Sequence, residues 1–195
     1  MALSRRLLLA SPLGLAACAG FGPPPADGNG WVRLPPEADN GLLGDADRRA
    51  VSVIRATLVE PSRQAGNPAA QAQALGWYEY ATVALNAPRW VGLDPLAVIR
   101  LRQGREELRN FYGIRQTALA QDVLVSFFRA GAALSVGDQA GAVYSFPAAI
   151  LTVPPDQVVA RLLAQPPPEL VSVARASAFA GSAMDAMDGG NAEWD

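Results

Sequence analysis

Residues 67–86, NPAAQAQALGWYEYATVALN, form the stretch that decides the fold. Asn67 followed by Pro68 is typical of a helix start, because the asparagine side chain accepts an unpaired amide hydrogen and proline presets the first helical backbone angle. Glu79 is the only charged residue in the stretch. Three-and-four spacing then relates the apolar positions, which are Ala70, Ala74, Trp77, Tyr78, Ala81 and Leu85. The pattern therefore predicts a helix that is largely buried.

Helical spacing recurs on both sides of this stretch. Asp94 and Pro95 repeat the start signal, and Gly113 can end the helix that follows. Because the connections are short, neighbouring helices should pack antiparallel. We therefore expect an all-α domain over residues 31–188, a single irregular bundle of about five to six helices. The additional helices are predicted at about 45–63 with the regular part ending near Val59, and at about 95–112, 115–134, 154–164 and 168–187.

Two segments do not follow the helical pattern. Residues 139–153 are compatible with two short strands, with a short helix followed by an extended arm around Pro147, or with extended structure outside any sheet. In a chain that is otherwise helical we expect the third, since an isolated hairpin is only marginally stable in water. Residues 189–195 are polar and are expected to form a disordered tail.

Composition restricts the chemistry available to the protein. All sixteen basic residues are arginine, there is no histidine, and Cys18 is the only cysteine. These absences exclude Ser-His-Asp and Cys-His catalysis, zinc sites of the usual kind, and structural disulfides. We expect no metal and no cofactor. The net charge of −2 also argues against nucleic-acid binding, which depends largely on neutralising phosphates.

The amino-terminal residues indicate export. Arg5 and Arg6 precede an apolar run of eleven residues, 7–17, which is shorter than the roughly 20 residues needed to cross a bilayer. The run closes with Leu-Ala-Ala-Cys at 15–18, which resembles the lipobox of bacterial lipoproteins. The resemblance implies that residues 1–17 are a signal peptide and that Cys18 is the site of lipid attachment. Residues 19–30, rich in proline and glycine, would then be a flexible tether.

Other features of this signal leave alternatives open. The arginine pair also resembles a twin-arginine export signal. Ala19 after the cysteine, in place of aspartate, is similar to the pattern of lipoproteins sorted to the outer membrane. A lipid-anchored protein facing the periplasm, on the outer membrane, is therefore expected. A buried amphipathic helix that happens to contain Cys18 is the competing interpretation.

Glu79 is the one weak candidate for catalysis. It lies among Trp77, Tyr78 and Tyr80, and aromatic surroundings can raise the pKa of a carboxyl group enough for general acid chemistry. Glycan cleavage would also need a second carboxylate, and the sequence does not place Asp94, Glu107 or Asp122 opposite it. We expect instead that the aromatic residues are core and that Glu79 pairs with an arginine. The candidates for that arginine are Arg55, Arg89 and Arg105.

A cluster of arginines offers a surface for an anionic partner. Its members Arg100, Arg102, Arg105 and Arg109 fall within one predicted helix. A solvated face with local ion pairs, such as Arg102 with Glu106, is the alternative. From these features we expect a non-catalytic assembly, scaffold or adaptor subunit with a protein partner in the cell envelope. A cell-wall glycan enzyme or glycan-binding module that uses Glu79, and a carrier for a small molecule or lipid, are the alternatives.

Overall fold

A computed structural model describes residues 31–38, 44–60, 62, 65–164 and 170–191. Within these ranges there are seven α-helices and no β-strand, so the all-α prediction is confirmed. The helices are α1 (Ala46–Leu58), α2 (Pro68–Ala84), α3 (Pro95–Tyr112), α4 (Ala120–Ser135), α5 (Gln139–Tyr144), α6 (Pro155–Leu163) and α7 (Val171–Asn191). The predicted signal peptide, Cys18 and the tether lie outside the described residues.

Helix α2 is the centre of the bundle. It packs most extensively on α4, and α1, α3 and α6 also contact it. Twelve of its seventeen residues are buried, on all faces of the helix, which confirms the prediction of a largely buried element. Glycines allow the close approach to α4, because a Cβ at Gly76 would lie 2.9 Å from the ring of Phe128. Gly131 of α4 in turn packs against the backbone of Ala69.

Helix α7 covers one side of α3 and of α1. It runs antiparallel to α3, since Glu107 bonds the amide of Val173 near the start of α7 while Arg100 lies over Phe179 two turns later. Ion pairs on the surface join α7 to α1, with Arg55 Nη1 2.6 Å from Asp185 Oδ2. Among the described residues, no helix is both long enough and apolar enough to cross a membrane.

The helix ends follow the signals in the sequence. Asn67 Oδ1 accepts from the amide of Ala70 at 3.0 Å, and Asp94 Oδ1 accepts from the amide of Leu96 at 2.9 Å. Gly113 ends α3 with φ at 71°, a left-handed conformation that favours glycine. These three positions were predicted as helix boundaries, and the prediction is confirmed.

Two helix boundaries differ clearly from expectation, the start of α4 and the end of α7. Helix α4 begins at Ala120 rather than near Arg115, because the carbonyl groups of Arg115, Gln116 and Ala118 bond Arg109 instead of starting a helix. Helix α7 continues to Asn191, three residues into the segment expected to be disordered, and residues 192–195 lie outside the described ranges.

The segment 139–153 begins with a helix, so the expectation of extended structure was wrong for its first part. Asp138 caps α5 by accepting from the amide of Gly141 at 2.8 Å. After Pro147 a 3-10 turn at Ala148–Ile150 leads to Leu151, which is extended and pairs antiparallel with Ile114. The arrangement is closest to the alternative of a short helix and an extended arm.

Candidate functional site

Glu79 lies in the core and forms an ion pair with Arg109 of α3. The carboxylate is 0 % exposed and Arg109 is 1 % exposed. Arg109 Nε donates to Oε1 at 2.7 Å and Nη2 donates to Oε2 at 2.8 Å, so both carboxylate oxygens are bonded. The expectation that Glu79 pairs with an arginine within an aromatic core is confirmed, but the partner is Arg109.

The third nitrogen of Arg109 holds the connection between α3 and α4. Nη1 lies 2.9 Å from the carbonyl oxygens of Gln116 and Ala118 and 3.4 Å from that of Arg115. A single guanidinium group therefore satisfies a buried carboxylate and several backbone acceptors together. Glu79 is thus a structural residue, because a substrate could reach its carboxylate only after this ion pair had been broken.

Two of the three arginines expected as partners of Glu79 pair with other carboxylates. Arg55 pairs with Asp185, and Arg89 pairs with Asp47. Arg105 is half-buried, and its burial lowers the pKa of the guanidinium group, an effect that the nearby charge of Glu79 opposes. The hydroxyl of Tyr78, beside Glu79 in the sequence, donates to the carbonyl of Leu101 at 3.2 Å.

Asp47 is a second buried carboxylate, which the sequence argument did not single out as a site. It is 1 % exposed. Tyr80 Oη donates to Asp47 Oδ1 at 2.8 Å, Trp90 Nε1 donates to Oδ2 at 2.6 Å, and Arg89 forms an ion pair with the same carboxylate. The sequence does contain an indication of this burial, because Asp47 shares the helical spacing of the inward-facing apolar residues of α1. A charged residue at such a position needs polar partners. As in Glu79, both carboxylate oxygens of Asp47 are bonded to neighbouring side chains.

Two of the three acidic residues considered as catalytic partners have structural roles. Asp94 caps α3, and Glu107 Oε2 accepts from the amide of Val173 at 3.1 Å near the start of α7. In the part of the chain that the structure describes, no cluster of three or more histidine, cysteine, aspartate or glutamate residues could hold a metal ion. The carboxylates named here therefore serve helix ends and buried pairs.

Not all of the arginines predicted to form a surface for an anionic partner are exposed. Arg109 is buried in its ion pair, so its assignment to an exposed patch was wrong, and Arg105 is half-buried. Arg100 is exposed, with its guanidinium carbon 4.0 Å from the centroid of the Phe179 ring. It lines a groove of about 560 Å³ between α3 and α7, together with Arg175 of α7. Arg175 was not predicted as part of this surface, because it lies 75 residues away from Arg100 in the chain.

Comparisons with known proteins yield no match. No family model matches the chain, and neither curated proteins nor solved structures show significant similarity to it. Function is therefore inferred from the residues of this chain.

Proposed function

We propose that this protein is a lipid-anchored, non-catalytic subunit of the bacterial cell envelope, acting on the periplasmic side of the outer membrane as an assembly, scaffold or adaptor component. The anchoring rests on the resemblance of residues 15–18 to a lipobox and on the arginines that precede the apolar run. Two or three acyl chains on Cys18 would hold the protein firmly, since a single chain binds membranes only marginally.

The burial of Glu79 is the observation that carries the non-catalytic part of the proposal. A general acid needs access to its substrate and a pKa close to the working pH. Glu79 is fully buried, and Arg109 bonds both of its oxygens. Both oxygens are therefore held by a neighbouring side chain in the core, where a substrate has no access to them. The glycan-cleaving alternative thereby loses the residue on which it depended.

Lipid attachment is tested by labelling cells that express the full chain with a tagged fatty acid. We expect the label on the protein and the protein in the membrane fraction. Cys18→Ser should abolish both, whereas the matched substitution Ser11→Ala, inside the apolar run, should leave both intact. An unlabelled protein that begins at Met1 with a free thiol would contradict the proposal.

The adaptor role is tested by cross-linking in intact cells. A photoreactive residue at an exposed position such as Tyr144, which is 92 % exposed, should form a discrete adduct with an envelope protein. The adduct should disappear when Cys18→Ser removes the anchor. Adducts that are absent at several exposed positions, with the protein correctly anchored, would argue against a subunit role.

A further inference from the structure

The groove between α3 and α7 has a wall composition that suits an anion. Both of its charged side chains are arginines, Arg100 and Arg175, and both are exposed. Its polar lining is completed by Gln103 and Ser172, which can donate hydrogen bonds, and by Ser182, whose hydroxyl donates to the carbonyl of Ala178 at 3.2 Å. No carboxylate lines the groove among the described residues. Glu107, one turn further along α3, bonds the amide of Val173 instead.

The two arginines carry charge that their described neighbours do not neutralise. Neither Arg100 nor Arg175 forms a salt bridge within the described ranges, whereas Arg48, Arg55, Arg89, Arg109 and Arg129 each have a carboxylate within 4 Å. Arg100 instead lies over the ring of Phe179, a contact that limits its motion. The groove is therefore a local positive site on a protein whose net charge is negative.

We propose that this groove binds a phosphate group carried by an organic molecule. A single guanidinium group can bond both oxygens of a carboxylate, whereas a phosphate presents oxygens to donors on several sides. The two arginines of the groove come from different helices, which suits a phosphate better than a carboxylate. The volume of about 560 Å³ is within the range of sites for organic ligands and much exceeds the needs of an inorganic ion. Phe179 and Ala178, which are partly exposed, supply apolar surface for the rest of the molecule.

The phosphate can belong to an anionic lipid headgroup or to a soluble phosphorylated compound. The headgroup source rests on the proposed function, because a lipid anchor would hold the groove near a membrane surface. The soluble source does not depend on it. The two are separated by comparing phosphatidylglycerol, phosphatidylcholine and glycerol 1-phosphate as probes.

The test is site-specific protection of arginine from phenylglyoxal, measured by mass spectrometry on the full chain in detergent micelles. Arg129 of α4 is the internal reference, since its side chain is 61 % exposed. We expect a bound phosphate to slow modification of Arg100 and Arg175 about tenfold and to leave Arg129 unchanged. Protection by phosphatidylglycerol but not phosphatidylcholine identifies a headgroup site, and protection by glycerol 1-phosphate alone identifies a soluble ligand. Equal protection of all three arginines, or protection of none, overturns the proposal.

Substitutions give an independent measurement with the same probes. Arg100→Gln and Arg175→Gln should each weaken binding of the protecting probe about tenfold, because each removes charged hydrogen bonds to phosphate. Arg129→Gln, which also removes one charge, should not change it. All three positions are exposed, so the fold should persist. Equal weakening by all three substitutions would mean that only the net charge of the protein matters. That result would contradict a specific phosphate site in the groove. Fatty-acid labelling of Cys18 is independent of these residues, so failure here leaves the lipid anchor untouched.

Discussion

Arg109 bonds two parts of the chain outside its own helix. Two of its nitrogens bond Glu79 on α2, and the third bonds carbonyl groups in the connection before α4. A buried ion pair by itself is weak evidence of net stabilisation, because desolvating both charges is costly. Removing one member of the pair is destabilising, because the remaining charge is then buried without a partner.

Glu79→Gln should lower the free energy of unfolding by about 3–5 kcal/mol, because it leaves the charge of Arg109 uncompensated in the core. Urea denaturation followed by circular dichroism measures the loss. The matched control is Glu106→Gln on the exposed side of α3, which should change stability by no more than about 0.5 kcal/mol. Similar losses for both variants would mean that the buried pair has no special importance.

The buried tyrosines predict a loss of stability at alkaline pH. Burial raises the pKa of Tyr78, Tyr80 and Tyr112, and for Tyr80 the hydrogen bond to Asp47 raises it further. In the unfolded chain each hydroxyl has a pKa of about 10. Above that pH the unfolded state loses protons that the folded state keeps, so stability is complete below pH 10 and falls as the pH rises.

The expected slope is about 1.4 kcal/mol per pH unit for each tyrosine. The chain has no lysine to titrate in the same range, so urea denaturation between about pH 9 and pH 11.5 measures the effect directly. Tyr112→Phe should reduce the slope by about 1.4 kcal/mol per pH unit, the contribution of one tyrosine. A stability that stays constant over this range would contradict the prediction.

At the scale of elements, the sequence predicted which segments are helical more accurately than it predicted where each helix begins and ends. Asn67 and Asp94 act locally, through bonds to amides two or three residues away, and both were predicted correctly. The start of α4 depends on Arg109, which lies eleven residues before Ala120 on another helix. A spacing pattern within residues 115–134 contains no information about that contact.

Helix packing at Gly104 gives a prediction at this scale. A Cβ at Gly104 would lie 2.1 Å from the hydroxyl of Tyr78 and 3.2 Å from the Cα of Val173, which is backbone and cannot rotate away. Gly104→Ala should therefore destabilise the fold by about 1–3 kcal/mol despite the better helix propensity of alanine. The measurement is the midpoint of thermal or urea unfolding.

Two variants control for that effect. A Cβ at Gly189 in α7 would meet no described residue within 4 Å, so alanine there should be neutral or stabilise by at most about 1 kcal/mol. Tyr78→Phe combined with Gly104→Ala should recover part of the loss, because it removes the clashing hydroxyl. If Gly104→Ala and Gly189→Ala behave alike, close packing of α3 against α7 is not the cause.

For the whole molecule, the central position of α2 predicts cooperative unfolding. Helices α1, α3, α4 and α6 all pack on it, so exposing α2 removes the packing surface of most of the bundle. Fluorescence of the buried Trp77 and Trp90 and circular dichroism of the helices should therefore report the same transition. Two separate transitions would show that part of the bundle folds independently of α2.

The sequence by itself determined the helical class, the burial of most of α2 and the pairing of Glu79 with some arginine. These follow from local spacing, from capping residues and from the high cost of an unpaired buried charge. Only the tertiary structure decided that the partner is Arg109, that Asp47 is buried, and that Arg100 and Arg175 line the same groove. The physical reason is that each of these depends on how two helices rotate and cross, which is determined by packing against the rest of the bundle and is not encoded in the spacing of either helix alone.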